Sequence, residues 1–344
     1  MTTASPLAAI VLAAGKGTRM KSPRAKVLHE VFFRPMLHHV LDAIGPLHPE
    51  PTIVIVGHQR EQVERAVASY PVVCAPQLEQ LGTGHAVLCA ETFLSGFVGT
   101  VLIVCGDSPL LLTNHLEEML AHHRAAGGPL TIMTTRLSEP TNYGRIISDG
   151  SGRVTAIVEE KDATAEQRLI TEINAGLYCV ESSLLFSALR RVTSDNSQQE
   201  RYLTDIVAIA VADGINVTKY EHPHPAHVLG VNSRVELAQA HREIGRRRNT
   251  ELLAAGVTMH DPGSVTVAPT AIVGADCLLT ERLTVCGQTS LGDGCLIEPG
   301  VYLENADIGA GSRIGAGSVL RDCAIAPGTE VAPLQYISGR GNKR

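Results

Sequence analysis

A chain of 344 residues is long enough for two domains, and a composition 44% hydrophobic and 19% charged is that of a globular protein. A formal net charge of -6, no tryptophan and 3% aromatic residues leave neither the bulk positive field nor the stacking platforms of a nucleic-acid binder. No apolar run approaches the roughly 20 residues that span a bilayer. The eight cysteines are scattered with no C-x-x-C pair, which reads as reduced thiols in a cytoplasmic protein.

In chain order the first apolar run is LAAIVL (7–12). It could mimic a signal peptide, but no cation precedes it and it leads straight into a glycine-rich turn. Further runs follow at TIVIV (52–56), TVLIV (100–104), LTIMTT (130–135) and RVTAIV (153–158). Most are continuous rather than alternating, as expected for strands buried on both faces of a parallel sheet. Amphipathic helical stretches lie between them, at 59–69 and 114–126 among others. The alternation predicts a Rossmann-like, doubly wound α/β domain over 1–232. Ligands of such sheets bind outside the carboxyl ends of the strands, where GKGTRM and CGDSP both fall.

HPHPAH (222–227) has three histidines but no partner cluster, and its prolines suggest an extended loop or edge strand rather than a zinc site. His85 in GTGHA fits a pocket wall or helix N-terminus better than a general base. Residues 233–261 read as a linker helix. Its GRRRN (245–249) is better explained as a solvated helix face than as a nucleic-acid patch, given the acidic balance. From Val265 the chain can be written in sixes, VTVAPT, AIVGAD, CLLTER and onward, with an aliphatic residue recurring near one phase. Such hexapeptide repeats build a parallel β-helix, three hexads to a coil, so 262–334 supplies roughly four coils. One coil cannot bury its apolar corners alone, which is why they stack. Residues 335–344 read as a tail.

The loop LAAGKGTRM follows the first strand. A tight glycine turn there lets backbone N–H groups approach phosphate oxygens. It is not a Walker A loop, because Gly17 separates Lys16 from Thr18, and it is not a dinucleotide fingerprint, because Met20 stands where the third glycine belongs. Lys16, Arg19, Lys21, Arg24 and Lys26 put five cations in eleven residues with no acid among them. In an acidic chain that is a local anion trap.

LAAGKGTRM followed by KVLHE is similar to the signature of sugar nucleotidyltransferases. QLEQLGTGHA (77–86), GDSPLL (106–111), YGRI (143–146), IVEEKDAT (157–164), EINAG (172–176), YLTDI (202–206) and GVNSR (230–234) then appear in order. LLAAGVTMHDP (252–262) precedes the repeat. The ordered set resembles the bacterial N-acetylglucosamine-1-phosphate uridyltransferase family, the bifunctional GlmU type, over about residues 7–320.

The resemblance implies a nucleotidyltransferase domain followed by a short left-handed β-helix. It implies transfer of UMP from UTP to N-acetylglucosamine 1-phosphate with release of pyrophosphate. Attack on the α-phosphorus is in line and needs charge neutralisation and alignment rather than a protein nucleophile. By the same resemblance Asp107 and Asn232 hold Mg²⁺ through hard oxygens, and Arg19 and Lys26 hold the triphosphate. Leu12, Ala13, Ala14 and Gly15 line the nucleotide side, and Gln77, Gln80, Gly82 and Thr83 read uracil and ribose. Gly106, Gly144, Glu159, Asn174, Tyr202 and Thr204 face the sugar, with Tyr202 also able simply to pack. Two positions depart from the family pattern: Ala25 stands where proline is usual, and Cys105 where tyrosine is common.

In the family a longer β-helix carries acetyl transfer to glucosamine 1-phosphate, using His, Lys, Tyr and Asn residues on late coils. Here no histidine follows His260, and Lys343 is the one lysine after Lys219. The expectation is therefore uridyltransfer without acetyltransferase activity, in a homotrimer joined through the β-helix. The alternatives are a nucleotidyltransferase for another sugar, such as glucose 1-phosphate, and a catalytically silent sugar-nucleotide-binding protein.

Overall fold

The structure is a computed structural model that describes residues 5–339. It divides into two compact units. The first holds the residues up to Glu30 and Arg34–Leu237, and the second holds Val31–Phe33 and the residues from Ala238 onward.

The first unit is built on a mixed sheet. Its main path runs Val217–Glu221, Leu130–Arg136, Glu172–Glu181, Thr100–Cys105, Leu7–Leu12, Thr52–Val56, Val73–Pro76. Leu7–Leu12 pairs in parallel with Thr52–Val56 and Thr100–Cys105, as their continuous aliphatic runs require. Alternate residues of those strands feed two cores, Ile10, Ile53 and Ile103 on one face and Val11, Val54 and Val104 on the other. Helices Arg60–Ala66 and Thr113–Ala126 form at two of the amphipathic stretches.

Two features differ from the parallel pattern. Glu172–Glu181, which the apolar runs did not single out, lies antiparallel to both of its neighbours. RVTAIV is no central strand: Val154–Val158 pairs antiparallel with Arg145–Ser148 off the main path, and its half-buried pattern reflects one open face. Glu172–Glu181 also carries a bulge, its register on Leu130–Arg136 shifting between Asn174 and Tyr178. Bulges re-aim side chains. Here the Asn174 amide turns back to take the Gly176 N–H at 3.0 Å and to donate to the Tyr178 hydroxyl at 2.7 Å.

HPHPAH leaves the edge strand Val217–Glu221 and opens the short helix Pro225–Val228. His222 packs edge-on against His115 with ring centroids 4.6 Å apart, and His227 stacks on His115 at 5.3 Å. Among the described residues no group of three or more His, Cys, Asp and Glu side chains is arranged to hold a metal. The helix Arg234–Ala254 forms where the charged helical stretch was read, and the division between the units falls within it.

From Thr258 the second unit is a stack of two- and three-residue strands in three parallel sheets of five, five and four. These are the walls of the left-handed parallel β-helix that hexapeptide repeats build, with four full coils and part of a fifth. The six-residue phase does not hold throughout. Thr284 pairs with Tyr302, one coil of eighteen residues, but Tyr302 pairs with Val319 and Val319 with Tyr336, coils of seventeen. The missing residue is lost at the corner occupied by Asn305 and Asp322, both in the left-handed region at φ 51° and 48°. There Asn305 donates to Asp322 at 3.1 Å, one coil to the next. The strand Tyr336–Ser338 continues the stack into the stretch read as a tail, while Lys343 lies outside the described residues.

Candidate active site

The glycine loop leaves Leu7–Leu12 at the carboxyl edge of the sheet and opens a cleft of about 580 Å³. Leu12, Ala14, Gly15, Arg19, Lys26, Gln77, Gln80, Gly82, Thr83, Asp107 and Asn232 all line it. Ala13 and Gly106 are buried just behind, fixed by backbone bonds from the Ala13 N–H to Ile55 at 3.0 Å and from the Gly106 N–H to Leu12 at 2.9 Å.

Gly17 shapes the loop. It adopts φ 61°, and a Cβ there would stand 2.5 Å from the Cβ of Lys26. The loop thus passes over the lysine stem at a distance only glycine permits. The opposite wall is pinned to the loop by the Gln80 amide, which donates to the Ala14 carbonyl at 3.1 Å. Gln77 donates to the Gly82 carbonyl at 3.0 Å, and its amide nitrogen lies 3.1 Å from His85 Nδ1. His85 therefore supports the wall formed by Gln77 and Gly82. Thr83 accepts the Leu203 N–H at 3.0 Å.

Four polar groups from three separate stretches of the chain converge at the mouth of this loop. Asn232 Oδ1 accepts from Lys26 Nζ at 2.6 Å and from Arg19 Nη2 at 2.8 Å. Lys26 also forms an ion pair with the Asp107 carboxylate, and both side chains are less than one fifth exposed. Asp107 Oδ2 and Asn232 Oδ1 thus share one cation, the ammonium of Lys26. A carboxylate and an amide oxygen aimed at a common cation are the hard donors that suit Mg²⁺.

Four of the residues expected to face the sugar adjoin one another. The Asn174 N–H donates to the Gly144 carbonyl at 2.9 Å, and a Cβ on Gly144 would stand 3.5 Å from the Glu159 carboxylate. The Thr204 hydroxyl donates to Glu159 Oε1 at 3.1 Å. Burial, outweighing that bond and assisted by Asp205, raises the Glu159 pKa above the ordinary carboxylate value. Tyr202 is buried, accepts from Gln198 at 2.9 Å, and lines a cavity of about 240 Å³ together with Glu159 and Asp205. Burial and the nearby Asp107 carboxylate push the Cys105 thiol up to about 12, so it stays protonated and is no nucleophile.

Three residues near the site were not anticipated. Glu200 lines the cleft. The Tyr143 hydroxyl is pushed up to about 12 by burial and by Glu236 and Asp107. Glu236 accepts the Asn232 N–H at 2.5 Å, so it fixes the backbone that presents Asn232. Ser233-Arg234-Val235-Glu236 has the S-x-x-E spacing of a capping box, a signal that could have found it. Half of that box is made, the Glu236 N–H donating to Ser233 Oγ at 3.2 Å, while the Glu236 carboxylate reaches Asn232.

Comparison with known proteins shows the family. Residues 8–224 match the model of the nucleotidyl transferase family, and residues 288–322 match the bacterial transferase hexapeptide, six repeats. A bifunctional protein GlmU of Desulfotalea psychrophila is 46% identical over 331 residues, which cover 96% of this chain and 98% of the relative. The Pelobacter propionicus protein of the same name is 44% identical over 332 residues, 96% of this chain and 72% of the relative. That of Thermobifida fusca is 42% identical over 333 residues, 95% and 69%. A glycine loop over a lysine, four polar groups meeting at its mouth, a hexapeptide β-helix and this identity along almost the whole chain agree: it belongs to the nucleotidyl transferases and, within them, to the GlmU family.

Proposed function

We propose that this enzyme is a sugar-phosphate uridyltransferase that moves UMP from UTP to N-acetylglucosamine 1-phosphate and releases pyrophosphate. The observation that carries the reading is the meeting of Arg19, Lys26, Asp107 and Asn232 beside the glycine loop. Two cations at the mouth of an anion-sized cleft are what a triphosphate needs. Arg19 and Lys26 hold the phosphate oxygens and stabilise the charge that builds on them in the transition state. Asp107 and Asn232 would hold Mg²⁺, whose chemistry is to neutralise phosphate charge when bound. With Asp107 and Asn232 engaged in that way, the Lys26 ammonium would be left to hold phosphate oxygens.

In this reading Leu12, Ala13, Ala14 and Gly15 present backbone to the nucleotide, while Gln77, Gln80, Gly82 and Thr83 read its base and ribose. Gly106, Gly144, Glu159, Asn174 and Thr204 receive the amino sugar, and Tyr202 packs behind Glu159. The attacking group is the sugar's own phosphate, so the inert Cys105 has no covalent part. The reaction is placed in the cytoplasm, consistent with eight unpaired thiols. No helix among the described residues is long and apolar enough to cross a membrane. The β-helix is proposed to join three chains. A sedimentation mass of one chain at micromolar concentration would refute the trimer.

The test is pyrophosphate release from UTP and Mg²⁺ with N-acetylglucosamine 1-phosphate, glucosamine 1-phosphate or glucose 1-phosphate. A strong preference for the first is expected. Release with glucose 1-phosphate alone would overturn the sugar assignment, and silence with all three would overturn the reaction.

A further inference from the structure

The second unit holds a cavity of its own, about 550 Å³, walled by the Arg234–Ala254 helix from Gln239 to Thr250, by residues 262–266 and by Phe32. Its size is that of a small-molecule site, and its wall contains one group that asks for a ligand. Asn249 is 2% exposed. Its amide nitrogen donates to the carbonyls of Pro262 and Val265 at 2.7 and 2.8 Å. That fixes which end of the amide is which, since an oxygen there would face two acceptors. Asn249 Oδ1 is left as a buried acceptor with no hydrogen-bond partner among the described residues. Buried polar atoms of this kind are rare and ask for a donor.

The charges beside it are unequal. Arg246 is chelated by Glu243 through two bonds of 2.8 Å, and Arg246 and Arg247 together hold that carboxylate down at about 2. Arg242 has no ion-pair or hydrogen-bond partner among the described residues. The wall therefore offers one open guanidinium, suited to a phosphate group. His241 Nδ1 accepts the Phe32 N–H at 3.2 Å, so its Nε2 carries the proton and is a donor. Gln239, Thr250 and Thr266 add hydrogen-bonding side chains.

The apolar wall is built rather than incidental. Phe32 and Phe33 are consecutive non-glycine residues at φ 47° and 71°, a strain that persists only where the surroundings enforce it. The Phe32 ring meets His241 edge-on at 5.3 Å, and a Cβ on Gly245 would stand 3.0 Å from it.

We infer that this cavity is a second small-molecule site, for a phosphorylated sugar, distinct from the cleft of the first unit. Hydroxyl or amide N–H groups of the sugar satisfy Asn249 Oδ1, its C–H face lies on Phe32 and Val265, and its phosphate is held by Arg242. A free sugar phosphate and a nucleotide sugar share this chemistry. Only the choice of probes rests on the proposed reaction.

Calorimetric titration of the full chain tests it, with N-acetylglucosamine 1-phosphate, UDP-N-acetylglucosamine and inorganic phosphate as separate probes. At least one sugar probe is expected to fill two sites per chain. Arg242→Ala should weaken one of them at least tenfold, the loss expected for a charge-assisted bond, and leave the rate of pyrophosphate release unchanged. Asn249→Leu should weaken the same site. Should that buried change prevent folding, Arg242→Glu, at an exposed side chain, gives the same reading. The probe with the tighter second site identifies the source. One site per chain, or affinities indifferent to Arg242, overturns the inference, and inorganic phosphate binding as tightly as both sugar probes overturns its sugar part. If pyrophosphate release fails while Arg242-dependent binding remains, the reaction falls and this site stands.

Discussion

Replacing Gly17 by alanine tests whether the loop positions Lys26. At φ 61° an alanine pays for the left-handed conformation, about 1 kcal/mol. Its Cβ would also lie 2.5 Å from Lys26 Cβ and 3.0 and 3.1 Å from Cγ and Cδ. Ordinary carbon contacts are ~3.5–4.0 Å, so the lysine stem or the loop must yield by roughly 1 Å. Lys26 Nζ is the cation shared by Asp107 and Asn232, so the displacement arrives at the centre of the site. A misplacement of about 1 Å is worth ~10²-fold in rate. The expectation is a ~10²-fold fall in kcat/KM, read as pyrophosphate release, with a loss of about 1–2 kcal/mol in a denaturant melt. Gly15→Ala is the contrast. A Cβ there meets no atom within 4 Å and its φ is not left-handed, yet it lines the cleft. Its melt should match the parent while the KM for UTP rises. If Gly17→Ala folds normally and keeps kcat/KM within threefold, the loop does not position the lysine and the reasoning fails.

Asp107→Ala should lower kcat by about 10²-fold or more through loss of an electrostatic partner of the transition state. It should also flatten the dependence on Mg²⁺, and unchanged turnover would remove Asp107 from the mechanism. Glu236→Ala should reduce kcat/KM roughly tenfold and raise the Mg²⁺ concentration needed for half-maximal rate, because the Asn232 N–H loses its acceptor. Glu236→Gln, which keeps an oxygen there, should restore most of both, and equal behaviour of the two variants would argue against positioning. For Glu159, burial raises the pKa above the ordinary 4.5, so the native state binds its proton more tightly than the unfolded chain. The destabilisation from ionising it is absent below pH 4.5, grows as pH rises toward the native pKa, and is complete above that. Glu159→Gln should therefore melt higher than the parent at pH 8, with the gap closing toward pH 4. An equal gap at both pH values would contradict this account.

Much of this arrangement could be read from local pattern. The continuous runs LAAIVL and TIVIV announce buried parallel strands, and the dense cations of the glycine loop announce an anion site. What stayed hidden depends on distance. Glu172–Glu181 carries polar Glu172 and Asn174 and a glycine bulge, so it lacked the aliphatic run that marked its neighbours. Nothing local tells that Asn232 meets Lys26 across 206 positions. A repeat written in sixes carries a constant phase and so hides the seventeen-residue coils, in which Asn305 and Asp322 shorten the corner. Tyr202 stands in a matching motif, and only the structure shows that it shares a cavity with Glu159.

Each rung of the β-helix bonds only to the rung above and the rung below, through pairings such as Thr284 with Tyr302 and Tyr302 with Val319. The length of such a stack is a free parameter. A rung can be added or removed as a block, because no rung carries a pairing beyond its neighbours. Proteins of one family can then share a catalytic unit at over 40% identity and differ widely in total length. The alignment covers 98% of one relative and 72% of another. Selection can trade coils as it trades loops, in steps of a whole turn rather than a residue.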